Sequence, residues 1–87
     1  MHEQSLMDAL LKKILQLAQQ EQATKVTKVC VKLGALSQLD EAHFKEHFDI
    51  SAKGTIAEDA LILAEMDLDI NDPNANFVVL KSIDVAH

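Results

Sequence analysis

The chain opens Met1-His2-Glu3, and these residues carry the densest metal-binding chemistry in the sequence. A free amine on Met1 and the amide nitrogen of His2 close a five-membered ring on a metal. The His2 amide and its own imidazole close a six-membered ring, and the Glu3 amide nitrogen fills the remaining corner of the same plane. An all-nitrogen planar donor set suits Ni(II) or Cu(II), which accept tetragonal geometry, over Zn(II). Binding displaces protons, so affinity is expected to rise with pH. The plainer account of such a start is a frayed terminus.

Other constellations carry less. His43 and His47 stand four apart in a helical stretch, with Asp40 three before His43. A helical pair at that spacing can hold a metal, but the zinc-protease pattern needs Glu where the chain has Phe44. Two histidines on a solvated helix flank are the plainer account. Asp67, Asp69, Asn71 and Asp72 imitate the start of a calcium loop, yet its sixth position is Asp72 rather than Gly and its twelfth is Val78 rather than Glu. A solvated acidic strand face, pairing with Lys28 and Lys32 if the strands adjoin, explains them better. Cys30 alternates with lysines but has no resolving partner, and reads as an ordinary strand cysteine. His87 reads as frayed.

The chain has 87 residues, enough for one small domain, residues 1–87. Its basic residues are eight lysines and no arginine, against fourteen acidic residues, for a net charge of −6. Such a surface repels a nucleic-acid backbone. A single cysteine excludes an internal disulfide framework. No segment approaches the roughly 20 apolar residues of a membrane span. The start has no signal-peptide pattern, so a cytoplasmic location is expected. No triad, phosphate loop or paired-carboxylate site is visible, and an enzyme is not expected.

The elements that must position these groups follow from periodicity. Leu6, Met7, Leu10, Leu11, Ile14, Leu15, Leu17 and Ala18 form an apolar helical stripe over residues 5–20. Ser5 is the expected N-cap, leaving Met1 to Gln4 as an extended arm. Val26 to Leu33 alternates as a strand, with Val29, Val31 and Leu33 on one face and Lys28, Cys30 and Lys32 on the other; Gly34 stops it. Leu36 to Ile50 reads as a helix capped by Asp40, with Leu39, Phe44, Phe48 and Ile50 inward. Ala60 to Ile70 reads as a second strand, with Ile62, Ala64, Met66, Leu68 and Ile70 on one face. Asn71-Asp72-Pro73-Asn74 marks a turn, and Phe77 to Val85 reads as a third strand. The expected fold is α+β, two helices packed on one face of a three-stranded mixed sheet in the order α-β-α-β-β. The strand–helix–strand unit predicts a parallel pair. The turn predicts that the last two strands are antiparallel neighbours.

Taken together, these segments resemble the HypA family of nickel metallochaperones. The likeness runs through Met1-His2-Glu3 with Ser5-Leu6, and through Lys25-Val26 with Val29-Cys30-Val31-Lys32-Leu33-Gly34. It continues in Leu36-Ser37-Gln38-Leu39-Asp40 with Phe44 and Phe48, in Gly54-Thr55, Ala57-Glu58 and Ala60-Leu61, and in Leu80-Lys81-Ser82-Ile83-Asp84-Val85. It covers residues 1–65 and 77–85. The resemblance implies one Ni(II) held through Met1, His2 and Glu3, with Asp40 as a supporting acidic position. It implies as partners a GTPase of the HypB type and a nickel-enzyme precursor, the hydrogenase large subunit. The family also inserts a zinc domain with two Cys-x-x-Cys pairs between its last two strands. Here Met66 to Asn76 holds no Cys and no His, so no structural zinc is expected. The expected function is delivery of Ni(II) for maturation of nickel-iron hydrogenase. The competing expectation is a metal-free interaction module that keeps the fold and binds a maturation partner, with Phe77 to Leu80 as a sheet edge.

Overall fold

The computed structural model describes residues 3–37 and 40–87, with the backbone alone at Glu3 and Gln4. Its elements are α1 (Glu3–Gln20), β1 (Lys25–Leu33), α2 (Glu41–Ala52), β2 (Leu61–Met66) and β3 (Val78–Ala86). Two helices pack on a three-stranded mixed sheet in the expected α-β-α-β-β order.

Helix α1 begins at Glu3, two residues before the expected cap, so Ser5 lies inside the helix and Glu3 and Gln4 belong to it rather than to an extended arm. Glu and Gln are good helix formers, so the helix extends toward the terminus. At its other end the helix closes in a Schellman motif: Ala23 N–H donates to Ala18 O at 3.0 Å, Gln22 N–H donates to Gln19 O at 3.0 Å, and Gln22 adopts φ 56°. This tight reversal sends the chain straight into β1. At about 1.5 Å per helical residue and about 3.3 Å per strand residue, α1 and β1 each span roughly 27–30 Å. The start of α1 therefore returns to the end of the sheet where β1 stops.

Strand β1 lies at the centre of the sheet, in the order β2-β1-β3. It pairs parallel with β2, Val29 opposite Ile62 and Val31 opposite Ala64. It pairs antiparallel with β3, Val29 opposite Ile83 and Val31 opposite Leu80. The turn alone predicted that the last two strands are antiparallel neighbours; instead β1 lies between them. Residues 67–77 form a connection longer than the expected turn Asn71-Asp72-Pro73-Asn74, and they cross the end of β1. The most completely buried strand in the chain, with Val26, Val29, Val31 and Leu33 fully covered, takes both partners.

Irregularities between Val26 and Lys28 and between Cys30 and Val31 break the two-residue alternation of the β1–β3 ladder. Each inserts one extra residue and resets which side chains face inward. This is why Val26 and Val29, three apart, are both buried, and why Leu80 and Ile83 both pack against the core.

Strand β2 ends at Met66, four residues short of the expected strand. Asp67 N–H still donates to Leu33 O at 2.9 Å, and beyond it β1 has no backbone left to pair. The chain folds into side-chain-capped turns instead: Asp67 Oδ1 accepts from Asp69 N–H, and Asp69 Oδ1 from Asn71 N–H. Leu68 and Ile70, expected to share a face with Ile62 and Ala64, are exposed, as is Met66.

The core joins Met7, Leu10 and Ile14 of α1 to the inner face of β1 and to Phe44, Phe48 and Ala52 of α2. No polar or charged side chain is buried among the described residues. Burial of an aliphatic or aromatic side chain contributes about 1.5–3 kcal/mol, and here such side chains do all the filling.

Candidate metal centre

Met1 and His2, which carry most of the expected chelate, lie outside the described residues, as do Gln38 and Leu39 before α2. Glu3 is the first residue of α1. The fold brings that helix start to the same end of the sheet as the start of α2, because α1 runs back along β1 and α2 leaves from beyond the end of β1. Helices α1 and α2 also pack against each other. The topology thus gathers Glu3 and Asp40, far apart in sequence, at one end of the molecule.

Asp40 is the N-cap of α2. Its φ and ψ of −100° and 171° are extended, and its Oδ1 accepts from His43 N–H at 2.7 Å. That hydrogen bond satisfies a helix-end donor and holds the Asp40 carboxyl below the usual carboxylate range. The Asp40 Oδ2 lies 3.6 Å from His43 Nδ1, an electrostatic contact rather than a hydrogen bond. Glu41 in the first turn adds a charge that favours the helix dipole.

The segment leading to Asp40 is fastened to the β2–β3 connection. Gly34 N–H donates to Phe77 O at 2.9 Å and Leu36 N–H to Ala75 O at 2.7 Å. A side-chain carbon at Gly34 would collide with the Ala75 carbonyl, so only glycine admits this approach. Lys32 Nζ lies between Asp67 Oδ2 at 3.4 Å and Asp72 Oδ2 at 3.5 Å, which pins the connection from its other side. The hydrogen bond to Asp67 leads in raising the Lys32 ammonium above its ordinary range, and Asp67 is lowered first by the Asp69 backbone N–H. The expected pairing of acidic groups with Lys32 is present; Lys28 pairs instead with Asp84 at 3.9 Å.

Helix α2 spans Glu41–Ala52, later at both ends than the expected Leu36–Ile50. Its buried stripe is Phe44, Phe48 and Ala52. Ile50, expected inward, is exposed because two residues turn a helix about 200° away from Phe48. His43 and His47 lie one residue before the two phenylalanines, with ring centroids 6.1 Å apart. Among the described residues no three His, Cys, Asp or Glu side chains converge on one point. Among the described residues no helix is long and apolar enough to cross a membrane.

A family profile described as "Hydrogenase/urease nickel incorporation, metallochaperone, hypA" matches residues 1–76. Among curated relatives, the hydrogenase maturation factor HypA of Archaeoglobus fulgidus is 38% identical over 60 residues, covering 69% of this chain and 54% of that protein. The HypA of Pyrococcus horikoshii is 43% identical over 65 residues, covering 75% and 47%. The chain spans about half the length of these relatives. A solution structure of the Ni metallochaperone HypA from Helicobacter pylori superposes with a TM-score of 0.78 at 19% identity, over 99% of this chain and 98% of that one. That likeness establishes the fold. These relatives define a class of maturation factors for nickel enzymes. The chain belongs to the HypA family.

Proposed function

We propose that residues 1–87 form a single nickel-binding domain that accepts Ni(II) through the Met1 amine, the His2 amide and imidazole, and the Glu3 amide, and passes it to a nickel-enzyme precursor. The observation that carries this reading is the family match over residues 1–76, which begins at the chelating start itself. The helix that follows begins at Glu3, whose backbone amide is one of the proposed donors. Asp40 supports the site from the start of α2. The role is that of an accessory protein without catalysis of its own, acting on a hydrogenase precursor with a GTPase partner of the HypB type. The 67–77 connection stands where the family resemblance sets a zinc domain, and with one cysteine in the chain no structural zinc is part of the proposal.

The metal-free adaptor is the lesser reading. Strand β3 does form an edge of the sheet, but an exposed edge is common to many small domains, and the family's description is of nickel incorporation.

The test is a Ni(II) titration of the untagged chain beside one extended by two residues before Met1, followed by absorbance and calorimetry. One equivalent bound as a planar, low-spin complex by the untagged chain and absent from the extended one is expected. His2→Ala is expected to lose the same complex and keep the fold, because the described core is filled from Met7 onward. Equal planar binding by both chains would refute the terminal chelate.

A further inference from the structure

We propose that His43 and His47 form a second, more labile site for a divalent first-row transition-metal ion on the flank of α2, with Asp40 as the positioning residue. The proposal does not rest on the terminal chelate. It arises from how α2 is locked. Phe44 and Phe48 are fully buried and stacked, with ring centroids 6.1 Å apart. Their burial fixes the rotation of the helix about its axis. The residues just before them, His43 and His47, are therefore held in one row, a turn apart, on the flank. The imidazoles are already neighbours, 6.1 Å apart and tilted by 44°. Each would bring one nitrogen to about 2.1 Å from a shared ion. Closing that gap takes a rotation of side chains, of which His43 is largely exposed.

The second observation concerns orientation. The Nδ1 of His43 faces the Asp40 carboxylate at 3.6 Å. A metal-bound imidazole ordinarily donates its other ring N–H to such a group, which fixes the tautomer and raises the basicity of the ligating nitrogen. Asp40 is itself fixed, because its other oxygen caps the helix at His43 N–H. The carboxylate thus turns Nδ1 inward and leaves Nε2 of His43 directed away from the cap, as the ligating atom. No third protein donor converges there among the described residues, so water completes the coordination. Two imidazoles and water give a high-spin, octahedral Ni(II) ion, unlike the planar complex proposed at the terminus. A bidentate site releases its ion readily, which suits a holding point from which metal is handed on.

The experiment uses Ni(II) alone and the chain extended by two residues before Met1 and carrying His2→Ala, so that the terminal chelate is removed. Imidazole resonances are followed by NMR and binding by calorimetry. Paramagnetic broadening confined to the His43 and His47 signals, with one equivalent of high-spin Ni(II), is expected. His43→Ala and His47→Gln are each expected to abolish this binding, while His87→Ala leaves it intact. Asp40→Ser keeps a competent helix cap and is expected to weaken binding about tenfold. Absence of binding, or binding that survives His43→Ala and His47→Gln, overturns the proposal. Both outcomes are independent of the planar complex in the untagged chain. Backbone amide spectra that match the parent chain establish that each variant is folded.

Discussion

Helix α2 carries two pairs at the same spacing, and they differ in almost everything else. Phe44 and Phe48 are fully buried and close the core over β1 and β2. His43 and His47 stand one position earlier, and His43 is largely exposed. The ring separations are the same, 6.1 Å in each pair. Helical geometry alone puts such pairs in contact. What separates them is about 100° of rotation, which gives one pair to the core and leaves the other on the flank, with His43 exposed and His47 half-buried. The buried pair supplies stability, and by fixing the helix it arranges the other pair for chemistry.

The comparison makes its largest claim at Phe48. Phe48→Ala is expected to destabilise the fold by about 3–5 kcal/mol, because the neighbouring ring and the sheet cannot close the cavity. Chemical denaturation measures it, and a loss under about 1 kcal/mol would mean that the stacked rings are not the anchor of α2. The double change of His43 and His47 to Ala is expected to shift stability by no more than about 0.5 kcal/mol, as at other surface positions. A loss comparable to that of Phe48→Ala would erase the distinction between the two pairs.

Asp40 links them, since it caps the helix and faces His43. Asp40→Ala is expected to lower the melting temperature, and Asp40→Ser to restore most of the difference, because serine caps nearly as well. Thermal unfolding of the two variants separates the cap from the charge.

The smallest effect is in pH. Glu65 is held below the usual carboxylate range, first by a hydrogen bond from Lys81 at 2.7 Å. Asp67 is lowered as well. A carboxyl lowered in the folded state contributes stability that is present above its unfolded value and lost as pH falls through the folded one. Lys32 is raised, so its contribution is present below the ordinary lysine range and fades as pH rises through the folded value. The expected profile is flat around neutrality and falls on both sides. Glu65→Gln is expected to reduce the acid limb slightly in a pH series of unfolding curves, and the phenylalanine pair contributes nothing to that slope.

The sequence by itself determined the five elements, their order and most of the core. Apolar periodicity needs no partner to be read: Met7, Leu10 and Ile14 repeat with the helix, and Val29, Val31 and Leu33 with the strand. Asp40 was legible as a cap because its chemistry is local. The family resemblance was legible for the same reason, carried by short runs such as Val29 to Gly34. Tertiary structure decided what depended on a distant partner. Strand β2 stops at Met66 because β1 offers no backbone beyond Leu33, so Leu68 and Ile70 lose the face their alternation promised. Strand β3 pairs with β1 because the 67–77 connection is long enough to cross the strand end, where Gly34 admits Ala75 and Lys32 holds Asp67 and Asp72. The two ladder irregularities reset the inward face of the sheet, and no alternation rule anticipates an extra residue. Periodicity reports which side of an element is apolar, whereas strand order and strand ends are set by which backbone groups find partners, and those partners lie elsewhere in the chain.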